Sequence, residues 1–198
     1  AKEGYAVALL ARSTSLTGTL ASELPEARAF ECDVTDRASV VRAFARIREQ
    51  MGEVEVLIYN AGSGTWGSVE EITHESFEQS WRVNALGALL ASQEVIGPMK
   101  EAGRGNIVFI GATASRRGNK KTAAFAPAKA AQRSLAESMA RSLWPAGIHV
   151  SLVIVDGVVD LASTRKGMPD KPDSFFLKPD DLAELTLAIT KQRASAWS

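Results

Sequence analysis

The chain has 198 residues, which suits one α/β domain with a sizeable core. Its 23 Lys and Arg residues balance 23 Asp and Glu residues, which excludes a global attraction to nucleic acid or to an acidic membrane surface. No apolar run approaches the roughly 20 residues that span a bilayer, and a lone Cys32 with two histidines offers neither an internal disulfide nor a metal-ligand cluster. We expect a cytoplasmic protein without membrane or nucleic-acid partners.

Short apolar runs alternate with longer helical stretches, a pattern typical of a parallel sheet with helices on both faces. Strands are predicted at residues 5–10, 27–30, 54–58, 107–110 and 149–155. Helices are predicted after residues 33–36, from the N-cap Thr73 through Leu90, over residues 124–143 and from Pro179. The expected buried stripe of the first helix is Val40, Val41, Phe44 and Ile47. The fold class is therefore predicted as α/β, a doubly wound, Rossmann-like parallel sheet in one domain over residues 1–198.

The beginning of the chain departs from a complete fold of this type. Residues 1–4 resemble the last turn of a helix, with Gly4 as the residue that ends it. A doubly wound nucleotide fold begins with a strand, a glycine-rich turn and a helix that holds the pyrophosphate. We therefore expect the domain to be fragmentary at both ends and to lack that first strand and turn.

Two local patterns could indicate ligand binding, but a purely structural interpretation is favoured for each. Residues 62–67 match G-x-G-x-x-G, but no helix is predicted directly after Gly67, so a phosphate cradle is disfavoured there. A solvated loop is the favoured interpretation of the basic residues before residue 125, and an entrance for an anionic substrate is the alternative. These basic residues are Arg116, Arg117, Lys120 and Lys121.

Six short motifs follow one another at a characteristic spacing. They are Arg12-Ser13, Asp33-Val34, Asn60-Ala61-Gly62, Asn84 within a helix, Phe125-Ala126-Pro127-Ala128-Lys129 and Asp156-Gly157. Each has an ordinary structural explanation when taken alone: a helix cap for Asp33, a packing residue for Asn84, a core aromatic for Phe125. Their common order resembles the short-chain dehydrogenase/reductase family over nearly the whole chain.

The resemblance implies a nicotinamide nucleotide as cofactor. Asp33-Val34 would lie against its adenine and Asn60-Ala61-Gly62 beside its adenosine ribose, while Lys129 would grip the nicotinamide ribose. Asp156-Gly157 would stand at the strand end where the family has Pro-Gly. An acidic residue after the first visible strand would favour NAD, whereas an arginine accommodates a 2′-phosphate. Arg12-Ser13 therefore predicts NADP(H) in preference to NAD(H).

The resemblance also shows which catalytic groups differ. The family's tyrosine, which donates a proton to the developing alkoxide, corresponds to Phe125, and the serine that holds the carbonyl oxygen corresponds to Ala112. Lys129 is retained, and so is Asn84, which in the family completes the proton relay. Thr113 and Ser115 are the nearby hydroxyls that could substitute.

Two functions from different classes remain open on this basis. The first is an NADP(H)-dependent oxidoreductase with an altered active site, acting on the CH–OH/carbonyl pair of a small molecule. The second is a nucleotide-binding pseudoenzyme with a regulatory or structural role. Because the helices after residues 73 and 124 are apolar on more than one face, a homodimer or a homotetramer is expected.

Overall fold

The structure, a computed structural model, describes residue 1 and residues 3–197. The strands are β1 Val7–Ala11, β2 Ala27–Glu31, β3 Val56–Tyr59, β4 Gly105–Ala112, β5 Ile148–Val155, β6 Val158–Val159 and β7 Phe176–Leu177. The helices are α1 Thr14–Glu23, α2 Arg37–Met51, α3 His74–Trp81, α4 Gly87–Ala102, α5 Phe125–Leu143, α6 Ala162–Gly167 and α7 Pro179–Thr190. Every pair of these strands that shares a ladder is parallel. The α/β, Rossmann-like fold class is therefore confirmed. Within the described part of the chain, no helix is both long and apolar enough to cross a bilayer.

The core lies around β4, which pairs with β3 on one side and with β5 on the other. Ile107, Val108 and Phe109 at its centre are at most 1% exposed. Helices α2, α4 and α5 supply the other large core residues, such as Phe44 and Met99. A parallel strand that is paired on both edges and covered by helices has no face toward water, so its side chains are apolar. This explains the uninterrupted apolar run at residues 107–110.

Helix α2 corrects one detail of the sequence prediction. The carboxylate of Asp36 caps it by accepting a hydrogen bond from the Ala38 amide at 2.9 Å, so the cap is Asp36 and not Asp33. Val40 is buried as predicted, but Val41 is 40% exposed and Ala43 takes its place in the core. Residues at i, i+3, i+4 and i+7 share one helix face, and Val41 lies outside that series.

The long helix predicted after Thr73 is interrupted. A π-helical segment, Arg82–Leu86, joins α3 to α4. Inside it, the side-chain amide of Asn84 donates to the Ser80 carbonyl at 2.8 Å, and the Tyr59 hydroxyl donates to the Val83 carbonyl. Side chains that bond to helix carbonyls compete with the regular backbone ladder, and π-segments are frequent at functional sites.

A wide cleft separates two parts of the sheet. Strands β1 and β2 form one ladder and β3, β4 and β5 form another, and no ladder joins β1 to β3 in the described residues. Between them lies a largely apolar cavity of about 860 Å³, lined by residues that include Leu9, Val56 and Ile58. Ile58 is 47% exposed there, although the sequence predicts a sheet covered by helices on both faces. Within the described residues, the strands on the two sides of this cleft therefore form separate ladders.

The start of the chain borders this cleft. Gly4 has a φ of +82° and its amide donates to the Ala1 carbonyl at 2.9 Å, as at the end of a helical turn. Lys2 lies outside the described residues, so the predicted helix tail over residues 1–4 is described only in part.

Candidate functional site

Several of the predicted site residues lie at the carboxyl ends of the parallel strands, and Asn84, Phe125 and Lys129 come from helical segments. Arg12 directly follows β1, Asn60 directly follows β3 and Asp156 directly follows β5, while Ala112 is the last residue of β4. Open α/β sheets bind ligands at this edge. The site residues therefore form two groups, one on each side of the cleft: those after β1 and β2, and those after β3, β4 and β5.

The first group centres on Arg12 and Asp33. The Thr35 amide and hydroxyl both donate to the Asp33 carboxylate, at 2.9 and 2.8 Å. These hydrogen bonds, and to a lesser extent the charge of nearby Arg12, lower the pKa of Asp33. Arg12 itself is exposed, and the Ser13 hydroxyl accepts a hydrogen bond from the Ser15 amide as the cap of α1. The arginine side chain is thus available to a ligand, while Asp33 is held in a turn.

Val34 has a packing role as well as its predicted place beside a nucleotide. It is half-buried, and a Cβ built on Gly87 would come within 2.9 Å of the Val34 Cβ. Only a residue without a side chain therefore fits at position 87, where the π-segment passes into α4.

Gly62, Asn84 and Lys129 converge in the second group. A Cβ built on Gly62 would lie 3.7 Å from the Asn84 Oδ1 atom and 3.9 Å from the Lys129 Nζ atom. These three residues come from the loop after β3, from the π-segment and from α5. The Asn84 amide donates to the Ser63 carbonyl at 2.6 Å, but its buried Oδ1 has no hydrogen-bond partner within the described residues. A buried acceptor without a partner is uncommon and indicates a place where a ligand or water donates.

Lys129 is held in a buried position. It is 5% exposed, and its Nζ atom donates to the Ile110 carbonyl at 2.8 Å and to the Gln132 Oε1 atom at 3.0 Å. Burial lowers the pKa of Lys129 from 10.5 to about 8. The ammonium is therefore poised close to neutral pH beside the carboxyl end of β4, where a charged group can bind a ligand or exchange a proton.

Phe125 begins α5 and supplies a ring without a polar atom. The ring packs against the backbone of Gly64, where an added Cβ would lie only 2.6 Å from a ring carbon. Its centroid is 5.4 Å from that of Trp66, and the Lys129 Nζ atom is 5.9 Å from the ring centre. Position 125 thus contributes an apolar wall next to the buried lysine, not a proton donor.

The hydroxyl groups near the end of β4 are either bonded to another side chain or buried. Ala112 has no hydroxyl group. The Thr113 hydroxyl donates a hydrogen bond to the Asp156 carboxylate at 2.5 Å. The Ser115 hydroxyl is buried without a partner in the described part of the chain, and Ser115 is only 3% exposed. Gly157, after Asp156, packs closely on the Leu177 side chain.

The glycine-rich loop over residues 62–67 is not followed by a helix. The Gly67 amide donates to the Lys121 carbonyl at 2.9 Å, and α3 begins only at His74. This confirms that the G-x-G-x-x-G match is not a helix-opening turn. The loop containing Arg116, Arg117, Lys120 and Lys121 is exposed, as the solvated interpretation requires.

Sequence reasoning missed three residues that shape the site. Gln132 is fully buried against Lys129, and its spacing of three residues on a helix could have indicated a shared face. Gly64 and Trp66 form a wall with Phe125, but they are distant in sequence, so no local signal predicted that contact. Among the described residues, no group of three or more His, Cys, Asp or Glu side chains is arranged to hold a metal ion.

The comparisons with known proteins agree with this geometry. The model of the short chain dehydrogenase family matches residues 1–171. The chain is 36% identical to the 3-oxoacyl-[acyl-carrier-protein] reductase MabA of Mycobacterium avium over 68% of its own length, and it spans only 52% of that relative. It therefore belongs to the short-chain dehydrogenase family, a family of oxidoreductases, and covers about half the length of a curated relative that it matches.

Two further matches extend over nearly the whole chain. The inactive 2-(S)-hydroxypropyl-CoM dehydrogenase 2 of Xanthobacter autotrophicus is 30% identical, and the match covers 98% of this chain and 90% of the relative. The alcohol dehydrogenase of Thermococcus sibiricus, solved in complex with 5-hydroxy-NADP, superimposes with a TM-score of 0.86 at 26% identity. That match covers 98% of this chain and 83% of the archaeal one.

Proposed function

We propose that this chain is an NADP(H)-dependent oxidoreductase with an altered active site, acting on the CH–OH/carbonyl pair of a small molecule. The observation that carries the proposal is the convergence of Gly62, Asn84 and Lys129 beside a ring, Phe125, that has no hydroxyl. The three converging residues suit a bound nucleotide. The active site is altered because the ring of Phe125 lacks the hydroxyl that would donate a proton.

The residues present suit a nicotinamide nucleotide. Lys129 would hold its nicotinamide ribose, since the ammonium is anchored by two hydrogen bonds at the strand edge. Asn60, Ala61 and Gly62 would face the adenosine ribose, where glycine leaves the space that a side chain would fill. When bound, the nucleotide supplies a hydride donor or acceptor for the substrate carbon. The chain itself contributes binding, orientation and proton handling.

Arg12 supports NADP(H) in preference to NAD(H). Its exposed guanidinium directly follows β1, the position where an arginine accommodates a 2′-phosphate. The nearby carboxylate of Asp33 accepts two hydrogen bonds from Thr35 and makes no direct ion pair with Arg12 among the described residues. The related alcohol dehydrogenase of Thermococcus sibiricus was solved with an NADP derivative, which is consistent with this choice.

A second candidate function is a nucleotide-binding pseudoenzyme, which is favoured because the predicted catalytic positions and the nearby substitutes offer no hydroxyl group that is both exposed and free to donate. Phe125 and Ala112 have none, the Thr113 hydroxyl donates to Asp156, and the Ser115 hydroxyl is buried. Losing a positioned general acid typically costs about 10² to 10⁴ in rate. The relative from Xanthobacter autotrophicus carries the description inactive, which fits this second candidate.

Titration of both reduced nucleotides tests the proposal. Quenching of intrinsic tryptophan fluorescence by NADPH and by NADH gives the two dissociation constants, and we expect tighter binding of NADPH. The Arg12→Asp variant should narrow or reverse the preference, because an acidic residue repels the 2′-phosphate and accepts a ribose hydroxyl. Arg42→Asp, a charge reversal on the exposed face of α2, is the matched control. Absence of binding to either nucleotide would overturn the proposal, and equal affinities would overturn the preference for NADP(H).

A further inference from the structure

One side-chain contact joins the carboxyl ends of the two most extensively paired strands. The register places Ala112 of β4 opposite Val155 of β5, so Thr113 and Asp156 are neighbours one residue beyond the ladder. The Thr113 hydroxyl donates to the Asp156 Oδ1 atom at 2.5 Å. An ionised carboxylate can only accept hydrogen bonds, so this contact orients the carboxylate at the strand ends.

The charge on Asp156 is not neutralised by a protein cation. Within the described residues, neither a lysine nor an arginine lies within ion-pairing distance of it. Arg116 and Arg117 follow in the chain, and their amides donate to the Thr113 carbonyl, but their exposed side chains make no ion pair with Asp156. A fixed negative charge therefore faces the ligand edge of the sheet.

This carboxylate also lies at the same edge of the sheet as the proposed site. Lys129 donates to the Ile110 carbonyl, two residues before Ala112 on the same strand. In the proposed function Lys129 holds the nicotinamide ribose, which places the nicotinamide end of the ligand beside the ends of β4 and β5. The present inference rests on that proposed function. The resembled family has an uncharged proline at this position, whereas this chain has the carboxylate of Asp156.

We propose that Thr113 and Asp156 form a charge-selecting pair, which favours the oxidised nucleotide over the reduced one. The oxidised nicotinamide ring carries a positive charge and the reduced ring is neutral, so a nearby carboxylate attracts only the oxidised form. Asp156 is exposed, so for unit charges about 6 Å apart that are screened nearly as strongly as in bulk water, Coulomb's law gives a bias of roughly threefold to tenfold in affinity. Thr113 contributes by keeping the carboxylate at the strand ends.

The test compares NADP⁺ and NADPH binding in the same protein. Dissociation constants come from calorimetry for NADP⁺ and from nucleotide fluorescence for NADPH. In Asp156→Asn, the preference for NADP⁺ should fall by about threefold to tenfold relative to the unmodified protein. Thr113→Val should lower the preference less, and Asp156→Glu should retain most of it. Asp170→Asn, which removes a charge from an exposed loop, is the matched control and should leave the preference unchanged.

The outcomes separate this inference from the proposed function. Failure of every variant and of the unmodified protein to bind either nucleotide would overturn the proposed function and the inference together. Binding of both nucleotides with an unchanged preference in Asp156→Asn would overturn the inference alone. An equal weakening of both nucleotides would show that the pair is only a structural brace, and this too would overturn the inference.

Discussion

Phe125 places a ring without a polar atom beside the proposed site. The residue lies at the first position of α5, packs on Gly64 and stands beside the buried ammonium of Lys129. A phenol at this position would have a cation close by to stabilise its ionised form. The surrounding structure therefore remains compatible with a proton donor that the sequence does not provide.

Restoring both hydroxyls should raise carbonyl reduction. We expect the Phe125→Tyr, Ala112→Ser double variant to reduce a reactive 1,2-diketone with NADPH about 10²-fold or more faster than the unmodified protein, because it regains a general acid and an oxygen-holding group. The measurement is the initial rate of NADPH consumption. Changing Lys129 to Ala in the same background should remove the gain. Brisk reduction by the unmodified protein, with no effect of the substitutions, would rule out the pseudoenzyme and point to another proton route.

Lys129 should titrate close to neutral pH. Burial lowers its pKa to about 8, whereas the unfolded chain titrates at the ordinary 10.5. Between these values the unfolded state holds a proton that the folded state has lost, so the contribution of this group to stability rises with pH across that window. NMR of ¹³Cε-labelled lysine should show one signal titrating near pH 8. Lys129→Arg, which removes that signal, provides the assignment, and a midpoint near 10.5 would contradict the burial effect.

The strands of the sheet differ in how completely their edges are paired. β4 pairs on both sides, whereas β1 pairs only with β2 and β3 only with β4 among the described residues. The other edges of β1 and β3 face the cleft of about 860 Å³. Backbone groups on an unpaired edge are open to water or to another extended segment.

Hydrogen exchange measured by mass spectrometry should reveal this difference. We expect peptides from Gly105–Ala112 to be the most protected, and peptides from Val7–Ala11 and Val56–Tyr59 to exchange faster, because local opening breaks fewer bonds there. Peptides from Ile148–Val155, a strand that also pairs on one side only in the described part of the chain but does not line the cleft, serve as the internal comparison. Equal protection of β1 and β4 would show that the edges along the cleft are covered in solution.

At the scale of the whole molecule, the π-segment, α4 and α5 keep several apolar side chains partly exposed. Leu90 and Ala128 are buried, whereas Leu89 is half-buried, and Leu86 and Leu135 contact the core but are also only half-buried. The resemblance to the family implies that helices α4 and α5 pack against the same helices of a second subunit. A helix that is apolar beyond one stripe requires a second burial partner.

We therefore predict a homodimer, or a tetramer built from it. Light scattering at micromolar concentration should give at least twice the 21.2 kDa mass of the chain. Leu89→Arg should shift the protein toward the monomer, because a charge in an apolar interface is costly to desolvate. Leu16→Arg, on the exposed face of α1, is the control. A monomeric mass for the unmodified protein would contradict the prediction.

The sequence alone was sufficient for the family and for the order of β1 to β5 with helices α2 to α5 and α7. It did not predict α1, β6, α6 or β7. Apolar runs, capping residues and motif spacing are local signals, which is why the cap at Thr73, the helix beginning at Pro179 and the buried strand β4 were predicted close to their observed places. The family resemblance, itself carried by motif order, also implied that Phe125 and Ala112 stand where the family has two catalytic hydroxyls. Val41 was misplaced because a run of apolar letters does not by itself distinguish the rim of a helix stripe from its centre.

Only the tertiary structure decided how these residues meet. The π-segment at Asn84, the burial of Lys129 against Gln132 and the contact of Phe125 with Gly64 depend on elements that are far apart in the chain. The Thr113–Asp156 bond arises from the register of β4 on β5, a pairing that neither strand's own sequence specifies. Secondary structure follows from local periodicity, whereas the site follows from which side chains several strands and helices bring to the same edge of the sheet.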